Sequence, residues 1–216
     1  SACVPVHNFG HPSNITAILK LCKKNNIVMI EDAAESLGSL LDGKHTGTFG
    51  SMGVFSFNGN KIVTTGGGGM IVTDDEHLAK MVKHRSTTAK IPHPWLFIHD
   101  ELGFNYRLPN INAALGCAQL EYIEYFVNQK RVLSNRYLDW FDKYEYELVR
   151  EKKGSRANYW FNALLTKNLR ERDSFLEFTN NSGVMTRPAW TPMHKLNMYS
   201  SCSRTELSMT EWLEER

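Results

Sequence analysis

A strand, a helix and a second strand follow one another within the first thirty residues, and that order restricts the fold more than any other feature of the chain. Residues 4–7 (Val-Pro-Val-His) and 27–30 (Ile-Val-Met-Ile) are short apolar runs, the pattern of buried strands. Between them Ile15, Ile18, Leu19 and Cys22 recur at helical spacing, and Ser13 stands where an N-cap belongs. Strands joined through a crossover helix pair in parallel. Two further strands are expected at residues 54–57 and 70–73, with a glycine-rich turn between them, then a helix over about residues 75–85. The expectation is an α/β fold with a mixed, mainly parallel sheet.

Residues 86–104 hold Pro92, Pro94 and Gly103 without a period, which predicts a long loop of the kind that often carries function. Pro109 suits the first position of a helix. Ile111, Leu115, Ala118, Tyr122 and Phe126 form its apolar face, extended by Leu133, Tyr137 and Trp140, with a bend or break near Asn128. Beyond it the pattern predicts a strand over 158–166, a helix over 169–181 ending at Gly183, and a strand over 184–186. That is a small α+β region starting near residue 128.

Of 216 residues, 42% are hydrophobic and 11% aromatic, enough to bury a core, so disorder is excluded. Twenty-five Lys and Arg against 23 Asp and Glu leave a net charge of +2, which argues against nucleic acid or an anionic membrane as the main partner. No apolar run approaches the roughly 20 residues of a membrane span, and the first residues lack a signal-peptide pattern. Cys3, Cys22, Cys117 and Cys202 are scattered, with neither metal-ligand spacing nor a disulfide framework, so a cytoplasmic, reducing compartment is expected. His7 and His11 are four apart, but Phe9-Gly10 and Pro12 break any helix that would align them, and no metal is expected. Ser1 opens almost directly onto the first strand, and residues 211–216 read as an uncapped helix turn. A piece of a longer chain is expected.

Three clusters can carry chemistry. Asp32 follows the strand of residues 27–30, at the strand end where open α/β sheets bind ligands; a cap for the next turn is the alternative reading. Lys61 closes the run Val54-Phe-Ser-Phe-Asn-Gly-Asn-Lys61, just before Thr64-Thr-Gly-Gly-Gly-Gly69. A lysine among glycines can approach a ligand closely, and Ser56 and nearby amides could hold a phosphate; a hairpin turn with a solvated lysine is the alternative. Neither a P-loop nor a dinucleotide fingerprint is present. The third cluster, Gly103-Phe-Asn-Tyr-Arg-Leu-Pro109, holds Asn105 and Arg107, able to reach an anion or simply to cap and pair.

In this order the aspartate, the S-F-x-G-N-K run at 56–61, T-T-G-G-G-G-M at 64–70 and G-F-N-Y-R at 103–107 resemble the DegT/StrS family of pyridoxal-phosphate-dependent sugar aminotransferases. The resemblance covers nearly the whole chain. Asn158-Tyr-Trp-Phe-Asn162, Arg187-Pro-Ala-Trp-Thr-Pro-Met-His194 and the TTGGGGM run in place of the commoner TTGEGGM are similar to its LegC-type branch. The resemblance implies the aspartate aminotransferase architecture (fold type I), with a partial large cofactor-binding domain over residues 1–127 and a small C-terminal domain over 128–216. It also implies an upstream segment, with a phosphate-binding Gly-Thr turn and an aromatic that stacks on the cofactor. Without that segment, apolar sheet surface should be exposed.

By the same resemblance the cofactor is pyridoxal 5'-phosphate and Lys61 is the lysine that bonds its aldehyde. Asp32 would pair with the pyridine nitrogen, Glu35 would contact the ring hydroxyl and Ser56 the phosphate. Asn105 would reach that phosphate from the partner subunit of a homodimer. Arg107, Trp190 and His194 are candidates for the substrate pocket, each with a packing role as the alternative. The implied reaction moves an amino group from glutamate to the 4-keto carbon of a nucleotide-linked 6-deoxy-hexose, with UDP the expected nucleotide, for surface polysaccharide or nonulosonic-acid-type sugars. Two rivals differ in class. A related sugar dehydratase would carry histidine in place of Lys61, and a truncated or degenerate member would bind a partner or sugar nucleotide without turnover.

Overall fold

The computed structural model describes residues 1–144 and 146–216. The chain runs β1 (Ala2–Cys3), α1 (Ile15–Lys24), β2 (Val28–Asp32), β3 (Leu40–Leu41), β4 (Lys44–His45), β5 (Met52–Ser56), β6 (Gly69–Val72) and α2 (Glu76–Ser86). It continues through α3 (Asn110–Leu120), α4 (Ile123–Phe141), β7 (Glu147–Leu148), β8 (Ser155–Arg156), β9 (Leu164–Leu165), α5 (Leu169–Asn181) and α6 (Ser208–Glu214). Two compact units result, Ser1–Asn135 with Arg150–Phe161 and Arg136–Val149 with Asn162–Arg216. Where the sequence suggests a single division at 127/128, the backbone passes between the units three times: α4 enters the second, and residues 150–161 return to the first.

The main sheet of the first unit has the order β1-β2-β5-β6. β1, β2 and β5 are parallel, as the strand–helix–strand pattern demands, and β6 turns back antiparallel to β5. The first strand is regular only at Ala2 and Cys3. Pro5 has no N–H to give the ladder and interrupts it. Within the expected residues 4–7 pairing resumes in the same register as the parallel bridge Val6–Asp32, where the Asp32 amide donates to Pro5 O at 2.9 Å and the His7 amide to Asp32 O at 3.1 Å. Ser13 does not cap α1: Asn14 occupies the N-cap without a side-chain bond, and the Ser13 amide donates to His7 Nδ1 at 3.0 Å.

One face of the sheet is packed. Met29 meets Ile15 and Cys22 of α1, while Phe55 joins Ala33, Phe57 and Val63 in a second cluster. Gly53, between these clusters on β5, is required by sterics, since a Cβ there would stand 1.9 Å from the Gly47 carbonyl oxygen. On the other face Val28, Val54 and Ile71 are exposed. A smaller antiparallel sheet, β4-β3-β8, completes the unit.

Asp75 caps α2 by accepting from the amides of His77 and Leu78. The expected long helix is two helices, broken at Glu121–Tyr122 rather than near Asn128. The Asn128 side chain accepts from Arg156 at 3.2 Å, so it does not compete for helix backbone and α4 passes through it. In the second unit β7 pairs antiparallel with β9, and Asn168 caps α5 by accepting from the Glu171 amide at 3.0 Å. Of the strand expected at 158–166 only Leu164 and Leu165 are in a ladder. None forms at 184–186, where Thr186 instead hydrogen-bonds to Thr179 and Asn180 at the end of α5. Among the described residues no helix is long and apolar enough to cross a membrane, and no cluster of three potential metal ligands occurs.

Candidate active site

β2 alternates its side chains, so two adjacent carboxylates part company. Glu31 points into the packed face and is fully buried. It accepts from the amides of Gly47 (2.8 Å), Phe49 (2.5 Å) and Gly50 (2.7 Å) and meets His7 Nε2 at 3.1 Å. Burial alone would raise its pKa, but these four bonds together hold it below the usual carboxylate range. Asp32 sits on the open face beside Val54. Oδ1 accepts the Ala34 amide at 3.1 Å, and Oδ2 is uncommitted among the described residues.

The loop after β5 brings Lys61 to the same end of the sheet. Its amide closes a turn on Asn58 O at 3.0 Å, and Phe57 anchors the loop by pairing with Gly68 and Thr65. The Lys61 amine lies 3.8 Å from the centroid of the Trp160 ring. Burial lowers its pKa from the ordinary lysine value, against the opposing pull of Glu35 and Asp32. Glu35 is raised by burial, with the Phe9 amide (2.7 Å to Oε2) and Lys61 pulling it down and Asp32 pushing it up. Lys61, Glu35 and Asp32 thus form one electrostatic group.

In the sequence Trp160 stands only within the run at 158–162, and no local pattern ties it to Lys61, 99 positions away. Its indole N–H donates to the Asn60 carbonyl at 2.7 Å, and its ring stacks on Phe161 at 3.9 Å. Asn158 is the bracket beneath. Its Nδ2 donates to the carbonyls of Glu35 and Leu37, both at 2.9 Å, and its Oδ1 accepts the Trp160 amide at 2.8 Å. Gly10, with φ +88°, lets this amide in, because a Cβ there would fall 1.8 Å from Asn158 Oδ1. A side-chain bracket has no periodic signature, which is why residues 158–161 read as strand.

Ser56 ends β5 opposite Gly69, and its hydroxyl accepts the Asn58 amide at 3.3 Å. Asn105 and Arg107 lie on the exposed segment after α2. Asn105 bridges Thr87 through its backbone, and Arg107 lines a shallow depression with Thr87, Lys90 and His93. Neither has a contact with Lys61. In the second unit Trp190 is exposed, and His194 meets Glu211 at 2.9 Å.

The model of the DegT/DnrJ/EryC1/StrS aminotransferase family matches residues 1–216. A GDP-perosamine synthase of Escherichia coli O157:H7 is 38% identical over 199 residues, covering 92% of this chain and 54% of that protein. EpsN of Bacillus subtilis, described as a pyridoxal phosphate-dependent aminotransferase, is 36% identical over 194 residues, covering 89% of this chain and 50% of that protein. The chain therefore spans about half the length of these relatives. The crystal structure of the aminotransferase TlmJ from Streptoalloteichus hindustanus superposes with a TM-score of 0.93 at 27% identity, over 100% of this chain and 59% of that one.

Proposed function

The chain belongs to the DegT/DnrJ/EryC1/StrS aminotransferase family, and from that premise we propose that it forms the lysine-bearing part of a pyridoxal-phosphate-dependent sugar aminotransferase. The observation that carries the reading is the grouping of Lys61, Glu35 and Asp32 at the carboxyl end of a parallel sheet. The donor set suits the cofactor. A lysine amine with a lowered pKa can bond an aldehyde, and a carboxylate with one free oxygen can accept a ring N–H. When bound, pyridoxal phosphate supplies an electron sink for the pair left by a broken C–H bond.

The chain's own residues do the rest. Lys61 would hold the cofactor and, when its amine is free, would take and return the proton at the substrate carbon. Asp32 would accept the N–H of the ring nitrogen. Glu35, held by the Phe9 amide, would serve the ring hydroxyl. Ser56 would donate to the phosphate, and Asn105 would do so from a partner subunit of a homodimer. Arg107, Trp190 and His194 would serve the substrate. Glutamate gives the amino group and a nucleotide-linked 4-keto-6-deoxy sugar receives it. The E. coli relative is named for a GDP sugar, which supports testing a guanine nucleotide before the uridine one expected from the sequence.

Borohydride trapping of the intact protein with pyridoxal phosphate, followed by peptide mapping, tests this reading. The tag is expected on Lys61, and prior glutamate is expected to prevent it. A tag on another residue, or none, overturns the proposal.

A further inference from the structure

The Lys61 amine lies within electrostatic reach of two carboxylates yet forms an ion pair with neither. It rests on an aromatic face, 3.8 Å from the Trp160 centroid. That face is fixed from three sides. The indole N–H is tied to Asn60, one residue before Lys61, the amide to Asn158, and the ring to Phe161. Trp160 is itself 3% exposed, and Lys130 Nζ donates to its carbonyl at 3.3 Å.

We propose that Trp160 is the positioning residue for Lys61, its indole face being the seat on which the free ε-ammonium rests whenever the lysine is not covalently engaged. This deepens the reading of Lys61 as the cofactor lysine and rests on it. A buried ion pair with Asp32 or Glu35 would lock the amine as an ammonium and occupy the oxygen that the cofactor ring needs. A ring face attracts the cation more weakly and non-covalently, and it takes no hydrogen bond from the amine. The amine stays in place and can still give up its proton. Both carboxylates remain available. The tie from the indole to Asn60 couples the seat to the backbone that carries the lysine, so seat and amine move together.

Competitive acetylation of the intact protein, stripped of small molecules, measures the pH midpoint of Lys61 reactivity by peptide mass spectrometry. Trp160→Met keeps an apolar side chain but removes the π face, and Trp160→Phe keeps a smaller face. Both lose the indole bond to Asn60, so their difference isolates the ring. The ring favours the charged form, while both truncations relieve burial of the amine, so the ring is read from their difference: the midpoint is expected to lie about 0.4 to 1.5 pH units lower in the Met variant than in the Phe variant. A Met midpoint equal to or above the Phe midpoint overturns the proposal. If Trp160→Met fails to fold, Trp160→Leu, which also lacks a π face, takes its place in the same comparison. Borohydride trapping is read separately. A tag on Lys61 with no such difference defeats the seat alone, whereas a tag elsewhere defeats the assignment of the lysine.

Discussion

The two faces of the main sheet use the same kind of residue in opposite ways. On the packed face Glu31 is fully buried, and all its acceptor capacity goes to the turn at residues 47–50 and to His7. On the open face its neighbour Asp32 makes one local bond and keeps an oxygen free, beside exposed Val54 and Ile71. A carboxylate surrounded by fixed donors is a structural strut. One left half-satisfied at a strand end is a group with capacity to spare for a ligand. The difference between them is a single step along β2, because side chains alternate across a strand.

The comparison breaks most sharply at Lys61. Lys61→Ala is expected to remove the trapped cofactor adduct and to lower amination by at least about a thousandfold, read by mass spectrometry and by turnover of a keto sugar. Asp32→Asn should lower turnover by about a hundredfold or more while leaving the melting temperature nearly unchanged. A large loss of stability there would erase the distinction between the faces. Glu31→Gln should do the reverse. With one oxygen for four donors, it is expected to cost about 3 kcal/mol of unfolding free energy, measured by urea titration. The activity of the folded fraction should be retained.

The smallest effect is in pH. The Glu31 carboxyl is depressed in the folded protein, so the folded state binds its proton less readily than the unfolded chain. Its contribution to stability is present above the unfolded carboxylate value of about 4.3 and is lost as pH falls through the lower folded one. Urea midpoints measured from pH 6 down to 3 should therefore drop more steeply in the parent than in Glu31→Gln. Equal slopes would show that Glu31 is not the depressed carboxylate.

Much of this was legible beforehand, and the exceptions have a common cause. Helical spacing marked α1, and the ranges expected at 75–85 and 169–181 correspond to α2 and α5, because periods are local. The motif residues Asp32, Ser56 and Lys61 were visible for the same reason. Glu31 passed unnoticed beside Asp32, since nothing local says which of two neighbouring carboxylates faces a core. Residues 158–161 look like strand in composition but spend their hydrogen bonds on a side-chain bracket. The break between α3 and α4 falls two residues past Gln119, whose side chain accepts the Thr64 amide at 2.9 Å.

By itself, then, the amino-acid order determined the parallel α/β plan and the residue types at the sheet's carboxyl end, because both are written in short-range periodicity and contiguous motifs. Only the tertiary structure decided that Glu31 braces a turn while Asp32 stays available, and that the Lys61 amine lies on Trp160. These depend on which distant segments meet. Contacts across 16 and 99 residues arise from the packing of the whole unit and leave no local pattern to read.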